Sequence, residues 1–202
     1  YNTFDFTNIL FYIDNEHYYS LNHHQKLFMD DCYFTDVFDL NSNLHIEIEK
    51  RCLQNYESAF YQVVSITSDI DVENFTISHC FEYNESLHFE TNIVDDDFDV
   101  TFVISSISDD NTELANMYKC LNDDDFAHKG YVIIDSTVIN SFDIKLKENV
   151  PYTFFITTVI KSKQKTDLNL TNILLHVGKL SNDHIIEKHK QRWKSLWQTN
   201  IE

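Results

Sequence analysis

The sequence contains two glycines, Gly130 and Gly178, where an ordinary chain of 202 residues carries about 14. That scarcity excludes the dinucleotide-binding fingerprint, the phosphate-binding loop and the nucleophile elbow of hydrolases. Each of these needs glycine where the backbone turns sharply or meets a ligand. Turns must instead fall to Asn and Asp, which tolerate a left-handed backbone better than other non-glycine residues. Basic residues are also scarce: 15 Lys and Arg stand against 33 Asp and Glu, a net charge of −18. A chain of that sign repels nucleic acid, and its charge reads as a solvated acidic surface. No apolar run reaches the ~20 residues of a membrane-spanning helix. No basic-then-apolar leader opens the chain, and its first residue is Tyr1, so it reads as a piece of something longer. The four cysteines, Cys32, Cys52, Cys80 and Cys120, are too far apart for a C-x-x-C zinc or redox pair and read as free buried thiols.

What is abundant is β-forming. With 16 Phe and 11 Tyr the chain is too hydrophobic to be disordered and is of a length to form one domain with a sizeable core. Period-two alternation recurs along it. LHIEIEK sets Leu44, Ile46 and Ile48 against His45, Glu47 and Glu49. DVENFTISHCFEY alternates through Phe75, Ile77, His79, Phe81 and Tyr83, and FDVTFVISSI through Phe98, Val100, Phe102 and Ile104. SFDIKLKE does the same with Phe142, Ile144 and Leu146, while YTFFITTVI is apolar on both faces and reads as a buried central strand. About ten such strands between residues 9 and 178, many roughly 8–12 residues apart, predict an antiparallel sandwich or barrel. One short internal helix is expected in NTELANMYKCL. There Leu114, Met117, Tyr118 and Leu121 fall at helical spacing behind Asn111 or Thr112 as a cap.

Candidate chemistry is thin. Asp95–Asp97 and Asp123–Asp125 offer oxygens to calcium but lack the spacing of a calcium loop, and read as solvated. His17, His23 and His24 have no partner cluster at metal-site spacing. No metal or cofactor is therefore expected. Sequons at Asn74, Asn84 and Asn169 are what an Asn-rich sequence produces by chance. The compartment stays open, with the cytoplasm favoured.

The last segment differs from the rest. HIIEKHKQRWKSLWQTNIE predicts an amphipathic helix from about 183 to 198, with Ser181, Asn182 and Asp183 as possible N-caps and Glu187 complementing the helix dipole. Ile185, His189, Trp193 and Trp197 fall at steps of four with Leu196 beside them, and Lys188, Lys190, Arg192 and Lys194 lie opposite. Two tryptophans form a larger apolar face than a helix packed only on its own domain requires. A linker held between two domains explains it better.

At this point the sequence resembles a family. His189-x3-Trp193-x2-Leu196-Trp197, followed by Ile201, resembles the helix joining the two main domains of glycoside hydrolase family 65. That family includes trehalose, maltose and kojibiose phosphorylases, acid trehalases and the glucosidase acting on glucosyl-galactosyl hydroxylysine. LKENVPYTFFITTVIKSK is similar to a strand pair of the family. LFMDDCYFTDVFDL is similar to a second segment, through Leu27, Met29, Thr35 and Phe38. The stretch from IEIEKRC, with Arg51, to Ile77-Ser78 is similar to the strands that follow. The match spans most of residues 27–202, each piece a loose hydrophobic pattern. It departs from the family in lacking glycines at turns, and it either starts well inside the family's N-terminal region or has that region shortened.

The resemblance implies a galactose-mutarotase-like β-sandwich (a supersandwich) over residues 1–180 and a linker helix over 181–202. It implies an (α/α)6 barrel beyond Glu202 that carries the catalytic carboxylates. No catalytic residue is therefore assigned to this chain. Its 33 acids also show no pair placed as inverting glycoside hydrolysis requires. The implied role is a non-catalytic support domain of an enzyme acting on α-glucosides. A self-standing structural or carbohydrate-binding sandwich is the alternative, and a homodimer could also cover the helix. An enzyme complete within these residues is the least favoured reading.

Overall fold

The computed structural model describes residues 7–56, 59–82, 88–93, 102–107, 113–121, 126–134, 137–161 and 170–199. Thirteen strands come first: β1 (Asn8–Ile13), β2 (Glu16–His17), β3 (Leu21–Phe28), β4 (Tyr33–Asn41), β5 (Leu44–Cys52), β6 (Ala59–Ser68) and β7 (Val72–Glu82). They continue as β8 (His88–Ile93), β9 (Phe102–Ile107), β10 (Glu113–Cys120), β11 (Phe126–Ile134), β12 (Thr137–Leu146) and β13 (Tyr152–Lys161). Two helices follow, α1 (Leu170–Gly178) and α2 (Asn182–Thr199). The strands form a five-stranded sheet, β11-β12-β7-β1-β2, and an eight-stranded sheet, β3-β4-β5-β6-β13-β10-β9-β8. Pairings run antiparallel throughout the described strands, so the mainly β, antiparallel two-sheet sandwich is present as expected.

Asn and Asp do make turns in place of glycine. Asp14 and Asn15, at φ 51° and 66°, form the two-residue β1–β2 loop, and Asn149 at φ 58° serves the β12–β13 turn. Gly130, at φ 122°, sits at the register shift in β11. Gly178 closes α1 against β10, where an added Cβ would stand 2.8 Å from Met117 Sδ.

Strand alternation separates two cores. Between the sheets lie Phe11, Phe38, Leu40, Leu44, Ile46, Ile48, Val64, Ile66, Phe75, Ile77, Tyr118, Phe142, Ile144, Phe154 and Ile156. Of the inward residues expected, Phe75, Ile77, Phe142 and Ile144 are fully buried, while the Phe102 side chain lies outside those described. The opposite face of the eight-stranded sheet carries Tyr61, Val63, Ala115, Met117, Phe155 and Val159. It is covered by Leu170, Leu174 and Val177 of α1 and by Ile185 of α2. The fold thus has three layers: sheet, sheet and helices. Among the described residues no helix is long and apolar enough to cross a membrane.

Two expectations are corrected. Residues 113–120, read as a helix, are β10, hydrogen-bonded between β9 and β13. Leu114, Ala115, Asn116, Met117 and Tyr118 are all buried, because Tyr118 faces the other sheet while Ala115 and Met117 face α1. A strand buried on both faces has no alternation to display, so helical spacing arose in it by coincidence. The short internal helix lies instead at Leu170–Gly178, a stretch taken as part of the strand region. Asn111, Thr112, the acidic runs at 95–97 and 123–125, and the sequons at Asn84 and Asn169 lie outside the described residues.

Candidate functional site: the terminal helix face

Helix α2 begins where Ser181 caps it: the Ser181 hydroxyl accepts from His184 N–H at 3.3 Å, and its carbonyl accepts from Ile185 N–H at 3.1 Å. Asp183 places a negative charge in the first turn, on the favourable side of the helix dipole. The Tyr61 hydroxyl of β6 lies 3.1 Å from Asn182 Oδ1 and ties the first residue to the sheet.

His189 is the anchor of the helix and is fully buried, at 0% exposure. Its Nε2–H is shared between the carbonyls of Cys32 at 3.0 Å and Asp31 at 3.2 Å, while Nδ1 accepts from the Gln54 amide at 3.3 Å. One ring therefore holds the β3–β4 turn and the end of β5 together, and the arrangement requires the neutral Nε2–H tautomer. Burial lowers the His189 pKa below its ordinary 6.5, and the Arg51 charge adds to this against the two carbonyls, which favour the imidazolium. Cys32 carries φ 50°, a left-handed conformation unusual for a side-chain-bearing residue, in the turn whose carbonyl His189 reads.

Two more side chains grip that turn. Lys190 Nζ meets the Asp31 carboxylate at 2.8 Å, and this hydrogen bond holds Asp31 below the usual carboxylate range. Trp193 Nε1–H donates to the Met29 carbonyl at 2.7 Å. Beneath them Arg51 is buried, stacked at 4.0 Å over the Tyr33 ring and paired with Glu49; its Nε and Nη1 have no hydrogen-bond partner.

The stripe read from sequence therefore divides. Ile185 and His189 are interior residues. Trp193 and Leu196 are half-buried, and Trp197 is 42% exposed with its ring edge-on to Trp193 at 5.7 Å. Met29, whose carbonyl holds Trp193, is itself 52% exposed. Sequence reasoning did not find the role of Met29, Asp31 and Cys32, because a turn that offers carbonyls leaves no side-chain signature.

The remaining candidates are dispersed. Among the described residues no group of three or more His, Cys, Asp or Glu is placed to hold a metal ion. His17 packs on Tyr12 and Tyr19, and His23 bonds Asp36. None of the four cysteines is in a disulfide, but only Cys80 and Cys120 are buried; Cys32 is half-buried and Cys52 exposed.

The fold of this chain is similar to parts of solved proteins. One is described as a kojibiose phosphorylase from human microbiome. It superposes with a TM-score of 0.71 at 15% identity, over 98% of this chain and 28% of that one. A second, a heparinase III named as the BT4657 gene product, gives 0.53 at 10% identity over 77% of this chain and 24% of its own. At such identities the likeness is one of fold. The chain spans roughly a quarter of the length of each of these proteins. No family model and no curated protein matches the sequence.

Proposed function

We propose that residues 1–180 form the non-catalytic N-terminal support domain of a family-65-like glycoside hydrolase or phosphorylase acting on α-glucosides, and that 181–202 link it to an (α/α)6 catalytic barrel. The observation that carries this reading is the asymmetry of coverage: 98% of this chain superposes on only 28% of a longer, kojibiose-phosphorylase-like one. The family-65 resemblance of the terminal helix agrees with it. In this reading the buried half of α2 belongs to the sandwich. Trp193, Leu196 and Trp197, with Met29 beside them, receive the barrel. Catalytic carboxylates lie outside the chain, and residues 1–202 serve to position the barrel.

Purified 1–202 should therefore leave trehalose, maltose and kojibiose unchanged, with or without phosphate. Robust turnover that one Asp or Glu substitution within the chain abolishes would overturn the assignment.

A further inference from the structure

The open edge of the sandwich, on the face of the eight-stranded sheet opposite α2, contains a cavity of about 570 Å³, within the ~300–1,000 Å³ range of small-ligand sites. One wall is the β1–β2 hairpin and the segment after it. The floor is the inner face of β3, β4 and β5. On that face the apolar alternation breaks. Leu40 and Phe38 of β4 are followed at the next inward position by Asp36, and Ile46 and Ile48 of β5 by Lys50. Polar groups at inward positions are costly to bury unless they are hydrogen-bonded or paired.

Asp36 is 5% exposed, and its carboxylate is fully engaged. Oδ1 accepts from His23 Nε2 at 2.9 Å and Gln25 Nε2 at 2.7 Å, and Oδ2 meets Lys50 Nζ at 2.7 Å. The carboxylate thereby fixes three other side chains in place while leaving each with unused capacity: further N–H donors on Lys50, a carbonyl oxygen on Gln25, and Nδ1 on His23. Donors and acceptors in fixed alternation suit hydroxyl groups, each of which both gives and takes a hydrogen bond. The Lys50–Asp36 pair is neutral as a unit, and the chain carries a net charge of −18, so an anionic ligand is disfavoured. At the rim Tyr19 is 78% exposed, its ring steadied edge-on by His17 at 4.6 Å. A flat aromatic face beside fixed polar groups is the arrangement that stacks on the C–H face of a pyranose.

We propose that this cleft binds a neutral saccharide, stacked on Tyr19 and hydrogen-bonded by the Lys50, Gln25 and His23 side chains that Asp36 holds. The proposal goes beyond the support-domain reading and does not depend on it.

Calorimetry on the intact protein with maltose, cellobiose and a sulfated heparin disaccharide tests it. At least one neutral disaccharide should bind. Tyr19→Ala should weaken it tenfold or more, Lys50→Met should weaken it comparably, and Trp197→Ala should leave it unchanged. Tyr19 is so exposed that its loss does not threaten folding, which keeps the test clean if Lys50→Met fails to fold. The proposal is overturned if neither neutral sugar binds or if Tyr19→Ala leaves binding intact, which would place the sugar elsewhere, in any catalytic domain included. Tighter binding of the heparin disaccharide would overturn the neutral class. Failure here would leave the inactivity of 1–202 and the role of α2 untouched.

Discussion

The two halves of α2 carry the same stripe of residues and meet different surroundings. In the first half Ile185 enters a core with Leu53, Tyr61 and Phe155, and every polar position of the His189 ring is satisfied. In the second half Trp193 is held by one hydrogen bond, and Trp197 leans on it with 42% of its surface open. A helix that only closed its own sandwich would taper to polar residues once past the sheet. This one instead places its two largest side chains where the domain's cover ends. A residue's position on an amphipathic stripe therefore does not say how far its own domain covers it.

The contrast can be broken from either side. Ile185→Ala should have the largest effect, about 2–5 kcal/mol lost from the stability of 1–202, read by denaturant unfolding. His189→Ala should come next, at about 1–3 kcal/mol, because the Gln54 amide and the Cys32 carbonyl lose their partner. Trp193→Phe keeps the ring and removes the bond to Met29, and should cost about 1 kcal/mol. Trp197→Ala should change 1–202 by no more than about 0.5 kcal/mol. If Trp197→Ala matches Ile185→Ala, the two halves are not distinct and the comparison fails.

Acid sharpens the same contrast. Folded His189 titrates below 6.5, so in the window between its lowered value and 6.5 the unfolded chain binds a proton that the folded chain does not. Its contribution to stability is whole above about pH 6.5 and falls as pH drops through that window. Unfolding measured from pH 7.5 to 5 should show a slope that His189→Gln flattens and Trp197→Ala does not.

The sequence was most legible where a strand has one face to the core and one to water. β5 shows this plainly: Leu44, Ile46 and Ile48 point in and Glu47 and Glu49 do not. It was least legible at β10, whose burial on both faces erased the alternation. For α1, Leu170, Leu174 and Val177 stand at helical spacing, but Ile173 and neighbouring apolar residues hid them in a short hydrophobic run. At the helix face, spacing alone identified Ile185, His189, Trp193 and Trp197 as one stripe. The backbone carbonyls of Met29, Asp31 and Cys32 that receive it come from folding and leave no mark in residue type. The Asp36 network was hidden likewise, because four residues on three strands meet only through sheet register.

Trp193 and Trp197 are the chain's only tryptophans, so its tryptophan fluorescence, excited selectively over the tyrosines, reports on the second half of α2 alone. The direct test is acrylamide quenching of Trp197 in a Trp193→Phe background, compared between 1–202 alone and the same residues joined to the proposed barrel. A helix gripped from both sides predicts red-shifted, readily quenched emission from 1–202 and blue-shifted, protected emission from the longer chain. Identical emission and equal quenching in the two would contradict it, and would make α2 a helix that packs on its own sandwich alone.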